Sequence, residues 1–328
     1  MKILVDIGNS RVKWATLDKA GLNDSHSFQR AKTGIKASLN KAWKNLSDIE
    51  AVYVANVGGE KLAQQLTEWT QKNWDLTPQF VTSEKKRFGV TNAYDEPEKL
   101  GIDRWLSLIA ARQHARQAQC VIDCGTAMTI DIVSKNGQHQ GGMILPGLSL
   151  MRSSLATNTN ALTEDLGEQE FNTLATNTFS AIHAGTLYSV SATLEHIIND
   201  LNQTFNNQVR FIITGGDAEQ LLPLLPDDIN HYPDIVLKGL AFYVRQDDKK
   251  KSRSKKQDKP AKTSAGDDQK PAEKSPQTSE DTEQNNAKND TDTSKKPRRS
   301  RSKKAEPATD KPASNKDKPG SALPEEAI

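Results

Sequence analysis

Apolar and polar positions interleave from the start of the chain. Ile3-Leu4-Val5 is a short apolar run, Asp6-Ile7-Gly8-Asn9-Ser10 interrupts it, and Val12, Trp14 and Thr16 then alternate with Lys13, Ala15 and Leu17. A period of two on both sides of a polar turn predicts a β-hairpin rather than a strand followed by a helix. A second copy starts at Gln119: Cys120-Val121-Ile122 as a strand, Asp123-Cys124-Gly125-Thr126 as a turn, and Met128 to Val133 returning. Asn136-Gly137 then predicts a tight turn into a strand ending near Pro146. A third strand, Val209 to Ile213, runs into Thr214-Gly215-Gly216-Asp217. An acid near the end of the first strand recurs 117 positions later, at Asp6 and Asp123. This predicts an internally duplicated α/β protein with a cleft between its halves.

Helical spacing fills the gaps. Residues 100–118 place Ile102, Trp105, Leu106 and Ile109 on one side and Arg112, Gln113 and Arg116 on the other, and 180–201 repeats the signal through Leu187, Val190, Leu194 and Ile198. Weaker patterns cover 29–44 and 61–74. The mixture gives an α/β class; strand order is not encoded in one sequence.

The patterning stops at residue 246. From there to 328 the only apolar residues besides alanine are Leu323 and Ile328, so the segment has nothing to bury against the entropy of folding and is expected to be disordered. It carries 17 Lys and 4 Arg against 16 acids, a net of +5, which leaves 23 basic and 26 acidic residues, a net of −3, for 1–245. A mildly acidic folded part is unlike a basic nucleic-acid module. The expected organisation is 1–118 and 119–245 as two related halves and 246–328 as a charged tail.

Two cysteines, Cys120 and Cys124, are too few for a disulfide framework or a cysteine zinc site, and read as small apolar residues on one strand face. The opening residues hold no signal-peptide apolar region, and no apolar run of about 18 residues occurs, so a cytoplasmic protein without a membrane span is expected. The six histidines are scattered without zinc spacing, and the five tryptophans read as core or interface residues.

Chemistry is expected at the turns. Glycine lets backbone N–H groups approach phosphate oxygens, a hydroxyl adds a donor, and an acid can hold the metal that accompanies a triphosphate. Asp6 to Ser10 and Asp123 to Thr126 both have this form, although Asp-x-Gly alone is also an ordinary turn. G-x-G-x-x-G and G-x-x-x-x-G-K-[ST] are absent, against a dinucleotide fold or a P-loop.

These motifs carry a resemblance. The D-x-G-N-[ST] start, the D-x-G-T-A-x-T-x-D turn at Asp123 to Asp131, Gly101-Ile102-Asp103-Arg104, Gly141-Gly142-x-Ile144-x-Pro146-Gly147 and the late Thr-Gly-Gly occur in an order that resembles type III pantothenate kinase. That family belongs to the acetate and sugar kinase, Hsc70 and actin superfamily, with two ribonuclease H-like halves around a nucleotide cleft. The resemblance covers roughly 1–245; Ser10 stands where threonine is commoner, and the tail has no counterpart.

The resemblance implies ATP-dependent phosphorylation of pantothenate to 4′-phosphopantothenate, the first step toward coenzyme A, with a divalent cation such as Mg2+. It implies an ATP site at Asp6, Ile7, Gly8, Asn9, Ser10, Arg11, Val12 and Lys13, joined by Thr126. Asp123 resembles the ligand of an activating monovalent cation, K+ or NH4+, and Asp103 the general base. An acid favoured by the dipole at a helix start is the structural alternative for Asp103. Gly101, Ile102, Arg104, Tyr94 and Thr178 match positions that hold pantothenate; a surface salt bridge for Arg104, packing for Tyr94 and a helix cap for Thr178 are the structural alternatives. The family also implies a homodimer. Two other readings remain open at this point: an ATP-binding member of the superfamily without pantothenate transfer, and a regulatory factor whose tail clusters, such as Pro297 to Lys304, bind nucleic acid. The interspersed acids weaken the latter and favour a solubilising tail.

Overall fold

The computed structural model describes residues 1–31, 33–158 and 174–257. The chain divides into one unit, Met1–Lys262, and a second, Thr263–Ile328, which lies outside the described residues together with most of the expected tail.

The first unit holds two five-stranded sheets of the same design. In the first, β1 (Lys2–Ile7) pairs antiparallel with β2 (Arg11–Leu17), which pairs antiparallel with β3 (His26–Gln29). On the other side of β1, β4 (Ala51–Asn56) and then β5 (Gln79–Phe80) join in parallel, giving the order β3-β2-β1-β4-β5. A small hairpin follows, β6 (Lys86–Arg87) with β7 (Val90–Thr91). The second sheet comprises β8 (Ala118–Cys124), β9 (Ala127–Val133), β10 (His139–Pro146), β11 (Val209–Thr214) and β12 (Asn230–His231), in the order β10-β9-β8-β11-β12. Its pairings repeat those of the first: antiparallel on the β9 side of β8 and parallel on the β11 side. Two copies of this order make the expected pair of ribonuclease H-like halves.

Among the described residues seven α-helices cover the faces: α1 (Lys36–Trp43), α2 (Glu60–Trp74), α3 (Ile102–His114), α4 (Leu148–Asn158), α5 (Thr178–Thr204), α6 (Ala218–Leu221) and α7 (Ile235–Gln257). One face of the first sheet, Ile3, Val5 and Ile7, packs against α1 and α2 through Leu39, Trp43, Leu66 and Trp69. Its other face, Leu4, Tyr53 and Ala55, shares a core with Leu106 and Ile109 of α3, Leu237 and Leu240 of α7, and Val121 and Ile212 of the second sheet. The outer face of the second sheet, with Cys120, Ile122 and Cys124, packs on Leu187, Val190 and Leu194 of α5. Both cysteines are buried free thiols, as their alternation predicts. The α3–α7 layer therefore lies between the sheets, and both faces of β1 and β8 are buried. This accounts for their nearly continuous apolar runs.

The folded part extends past the expected boundary at 245/246. The α7 helix continues to Gln257, the Tyr53 hydroxyl donates to Asp247 at 3.1 Å and Lys2 pairs with Asp248. Patterning missed this because the last turns of α7 are polar. It also missed β4, whose apolar run lacks alternation. Among the described residues no helix is long and apolar enough to cross a membrane.

Candidate active site

The central strands of both sheets end at one cleft of about 480 Å³. Asp6 and Asp123 hold equivalent places in it. Each is the penultimate residue of its strand, Asp6 opposite Lys13 and Asp123 opposite Thr129. After β1 the chain turns tightly, with Gly8 N–H donating to the Arg11 carbonyl at 3.0 Å and Arg30 Nη1 donating to the Gly8 carbonyl at 3.0 Å. The Ser10 and Thr126 hydroxyls lie 2.7 Å apart, so the turns after β1 and β8 meet. Beyond β11, Gly215 takes φ +97°, and a Cβ there would fall 2.4 Å from the Cys124 backbone. Only glycine fits that crossing of the two loops, and Asp217 N–H donates to the Cys124 carbonyl at 3.0 Å beside it.

Asp103, in the first turn of α3, completes an acidic group in the cleft. Burial pushes the Asp6 carboxyl up to about 8, and the charges of Asp103 and Asp123 add to this while Lys13 opposes it. Asp123 rises to about 7, through burial and then Asp103, again against Lys13. Burial also raises Asp103, partly offset by the Arg104 backbone N–H, which donates to its Oδ1 at 2.8 Å, and by the Arg104 charge. Acids kept protonated chiefly by burial, with neighbouring charges adding to it, mark a site that a bound cation would ionise. Among the described residues no three His, Cys, Asp or Glu side chains converge to bind a metal unaided. The spread of acids suits a hard cation that draws its remaining ligands from phosphate and water.

Next to Asp103, Arg104 is not a surface salt bridge. Its Nε and Nη2 donate to the two Asp131 oxygens at 2.7 Å each, with 7 % of Arg104 and 2 % of Asp131 exposed. Its Nη1 donates to the Tyr94 hydroxyl at 3.1 Å, His139 Nε2 lies 2.9 Å from Asp131 Oδ1, and the Tyr94 and His139 rings stack at 6.2 Å.

Of the residues singled out from sequence, Asp6, Gly8, Asn9, Ser10, Arg11, Lys13, Asp103, Asp123 and Thr126 line the cleft. Ile7 and Val12 face each other across the hairpin, and their side chains are buried in the core, leaving only backbone for a ligand. Gly101 caps α3, Ile102 is buried behind it, and Tyr94 and Arg104 sit in the Asp131 network. Thr178 is exposed and does not line the cleft. It does not cap α5 either: Asn177 does, accepting from Ser180 N–H at 2.9 Å. Asp131 and His139 were missed as partners. The signal available was an acid inside the apolar alternation of 128–133.

A family model for type III pantothenate kinase matches residues 2–200. The chain belongs to this family. A type III pantothenate kinase of Nitrosococcus oceani is 46% identical over 254 residues, covering 76% of this chain and 96% of the relative. One from Nitrosospira multiformis is 33% identical over 247 residues, covering 74% and 91%, and one from Dichelobacter nodosus 32% identical over 246, covering 74% and 98%. As a member of the family the chain is an enzyme, a kinase whose reaction is the phosphorylation of pantothenate in coenzyme A biosynthesis. ATP with a divalent cation belongs to that chemistry.

Proposed function

We propose that Asp103 is the general base of this reaction and that the cleft between the turns after β1 and β8 holds the triphosphate. The observation that carries this reading is the convergence of Asp6, Asp103 and Asp123 on one cleft, next to glycine-rich backbone and two hydroxyls. The pantothenate hydroxyl oxygen attacks the γ-phosphorus, the bond to the bridging oxygen breaks with its electron pair leaving on ADP, and the hydroxyl proton passes to Asp103. Burial makes Asp103 a stronger base than an exposed aspartate, which favours that transfer.

Backbone groups of Gly8 to Arg11, with Ser10 and Thr126, hold phosphate oxygens, and Asp6 faces the divalent cation. Asp123 would hold a monovalent cation, K+ or NH4+, which would supply screening of phosphate charge. The acceptor lies toward Tyr94, Gly101, Ile102 and Arg104. The Arg104 fork is already taken up by Asp131, so it offers pantothenate a fixed positive charge rather than a free bidentate clamp. Thr178, exposed outside the cleft lining, is assigned to the acceptor on the family resemblance alone. A homodimer is part of this reading, supported by exposed Met143 and Ile144 on β10, Leu150 on α4 and Phe179 and Tyr188 on α5. So are a cytoplasmic location, the halves 1–118 and 119–245, and a solubilising charged tail within 246–328.

The test is ADP release by the full chain with ATP and Mg2+, with and without pantothenate, in K+ and in Na+. Release is expected to require pantothenate and to rise in K+. Asp103→Asn is expected to bind ATP normally and lose about 10²–10⁴-fold in turnover; wild-type turnover in that variant removes the base assignment.

A further inference from the structure

A second cavity, of about 240 Å³, lies outside the cleft, between the C-terminal end of α3, the first turns of α7 and β11. Its floor is apolar, from Ala110, Ala111, Ile212, Ile235 and Ala241. An apolar cavity of about 150 Å³ accepts benzene, so this one has room for a slightly larger body. Three lining residues, Lys238, Arg245 and His114, carry nitrogen groups beside aromatic rings, and Arg210, outside the lining, packs on the lining residue Tyr232. Lys238 Nζ sits 4.9 Å and the Arg210 guanidinium 5.8 Å from the Tyr232 ring centre, and Arg245 lies 5.8 Å from that of Phe242. His114 Nε2 meets the Tyr232 hydroxyl at 2.7 Å.

No acid lines the cavity, and Lys238, Arg210, Arg245 and His114 take part in none of the ion pairs among the described residues. Arg210 Nη2 donates to Asn230 Oδ1 at 2.9 Å and to the Tyr232 hydroxyl at 3.1 Å, while its buried Nε has no hydrogen-bond partner. After burial, the charges of Arg210 and Lys238 add to the lowering of the His114 pKa, the mark of a positive field without a counterion.

We propose that this cavity binds a small amphipathic anion, an apolar body ending in a carboxylate or phosphate, and that its occupancy changes ATP affinity. The link is covalent. The segment 232–238 gives Tyr232, Ile235 and Lys238 to this cavity, and Pro233, Asp234, Val236 and Leu237 to the phosphate cleft. On the cleft side Lys13 Nζ donates to the Pro233 carbonyl and lies 3.7 Å from Asp234. An anion that draws Lys238 and Tyr232 inward acts on the backbone that holds Lys13.

The test is calorimetric titration of the full chain with hexanoate, hexyl phosphate and hexanol at constant ionic strength. At least one anion is expected to bind about tenfold more tightly than hexanol, and the preferred one separates a carboxylate from a phosphate ligand. K238E/R245E, both exposed positions, is expected to abolish that preference while turnover without the anion and the unfolding midpoint stay unchanged. Equal binding of hexanol and both anions, no binding, or wild-type anion binding in the variant overturns the site. Saturating anion is expected to shift the Kd for ATP in the wild type and not in the variant, with the reciprocal shift in anion affinity that linkage demands. Anion binding that leaves the Kd for ATP unchanged overturns the coupling.

Discussion

A single carboxylate, Asp131, organises the buried network next to Asp103. Its two oxygens take the Arg104 fork, and one also meets His139. Asp131→Asn would leave a buried guanidinium without its counterion, and removing one partner of a buried pair costs about 3–5 kcal/mol. Urea unfolding should show a loss of that order, against little change for Asp24→Asn on the exposed surface; a loss below 1 kcal/mol (~1) would mean that water takes over the pairing. At this scale the sequence was partly legible. Asp6 and Asp123 stand out because an acid precedes a glycine turn at the end of an apolar run. The role of Asp131 depends on pairing with Arg104, 27 positions away, which only the meeting of α3 and β9 creates.

At the scale of the elements, the crossing of α3 and α7 leaves no room for a side chain. Gly239 of α7 lies against α3 so closely that a Cβ would fall 2.3 Å from the Leu106 carbonyl oxygen. Backbone cannot yield as a side-chain tip can, so Gly239→Ala should force the helices apart and cost about 1–3 kcal/mol, as overpacking does. A lowered thermal midpoint with retained helix content would bear this out; an unchanged midpoint would mean that the crossing is loosely packed. The hairpins β1–β2 and β8–β9 could be read because a polar turn interrupts each apolar run and β2 and β9 alternate, and the helices α2, α3 and α5 because their apolar residues recur at helical spacing. Strand β4, buried on both faces, and the polar end of α7 offer no such pattern.

The whole molecule keeps a concentration of acid in its cleft. Asp6 and Asp123 have carboxyls raised from 3.8 to about 8 and about 7, so the folded state retains protons that the unfolded chain has released. The stability linked to these groups is complete below their ordinary values and is lost as pH rises through the raised ones. Without ATP or metal, the thermal midpoint should therefore fall between about pH 5 and about pH 8. Asp6→Asn should flatten that fall, and Mg2+ with ATP should add most stability at the alkaline end. A fall of equal size in the variant would place its cause elsewhere.

The helix layer shared by the two sheets also sets an order of events during synthesis. Domains commonly fold from the N-terminus as the chain emerges. Here Leu4, Tyr53 and Ala55 of the first sheet lie in a core completed by Leu237 and Leu240, near the end of the folded unit. A ribosome carrying the first half alone holds a sheet covered on one face by α1 and α2 and on the other by α3 only, and the rest of that second face waits for α7. The enzyme therefore closes late, when nearly the whole catalytic unit has been made, and a chain released before α7 emerges would expose the apolar surface that chaperones bind.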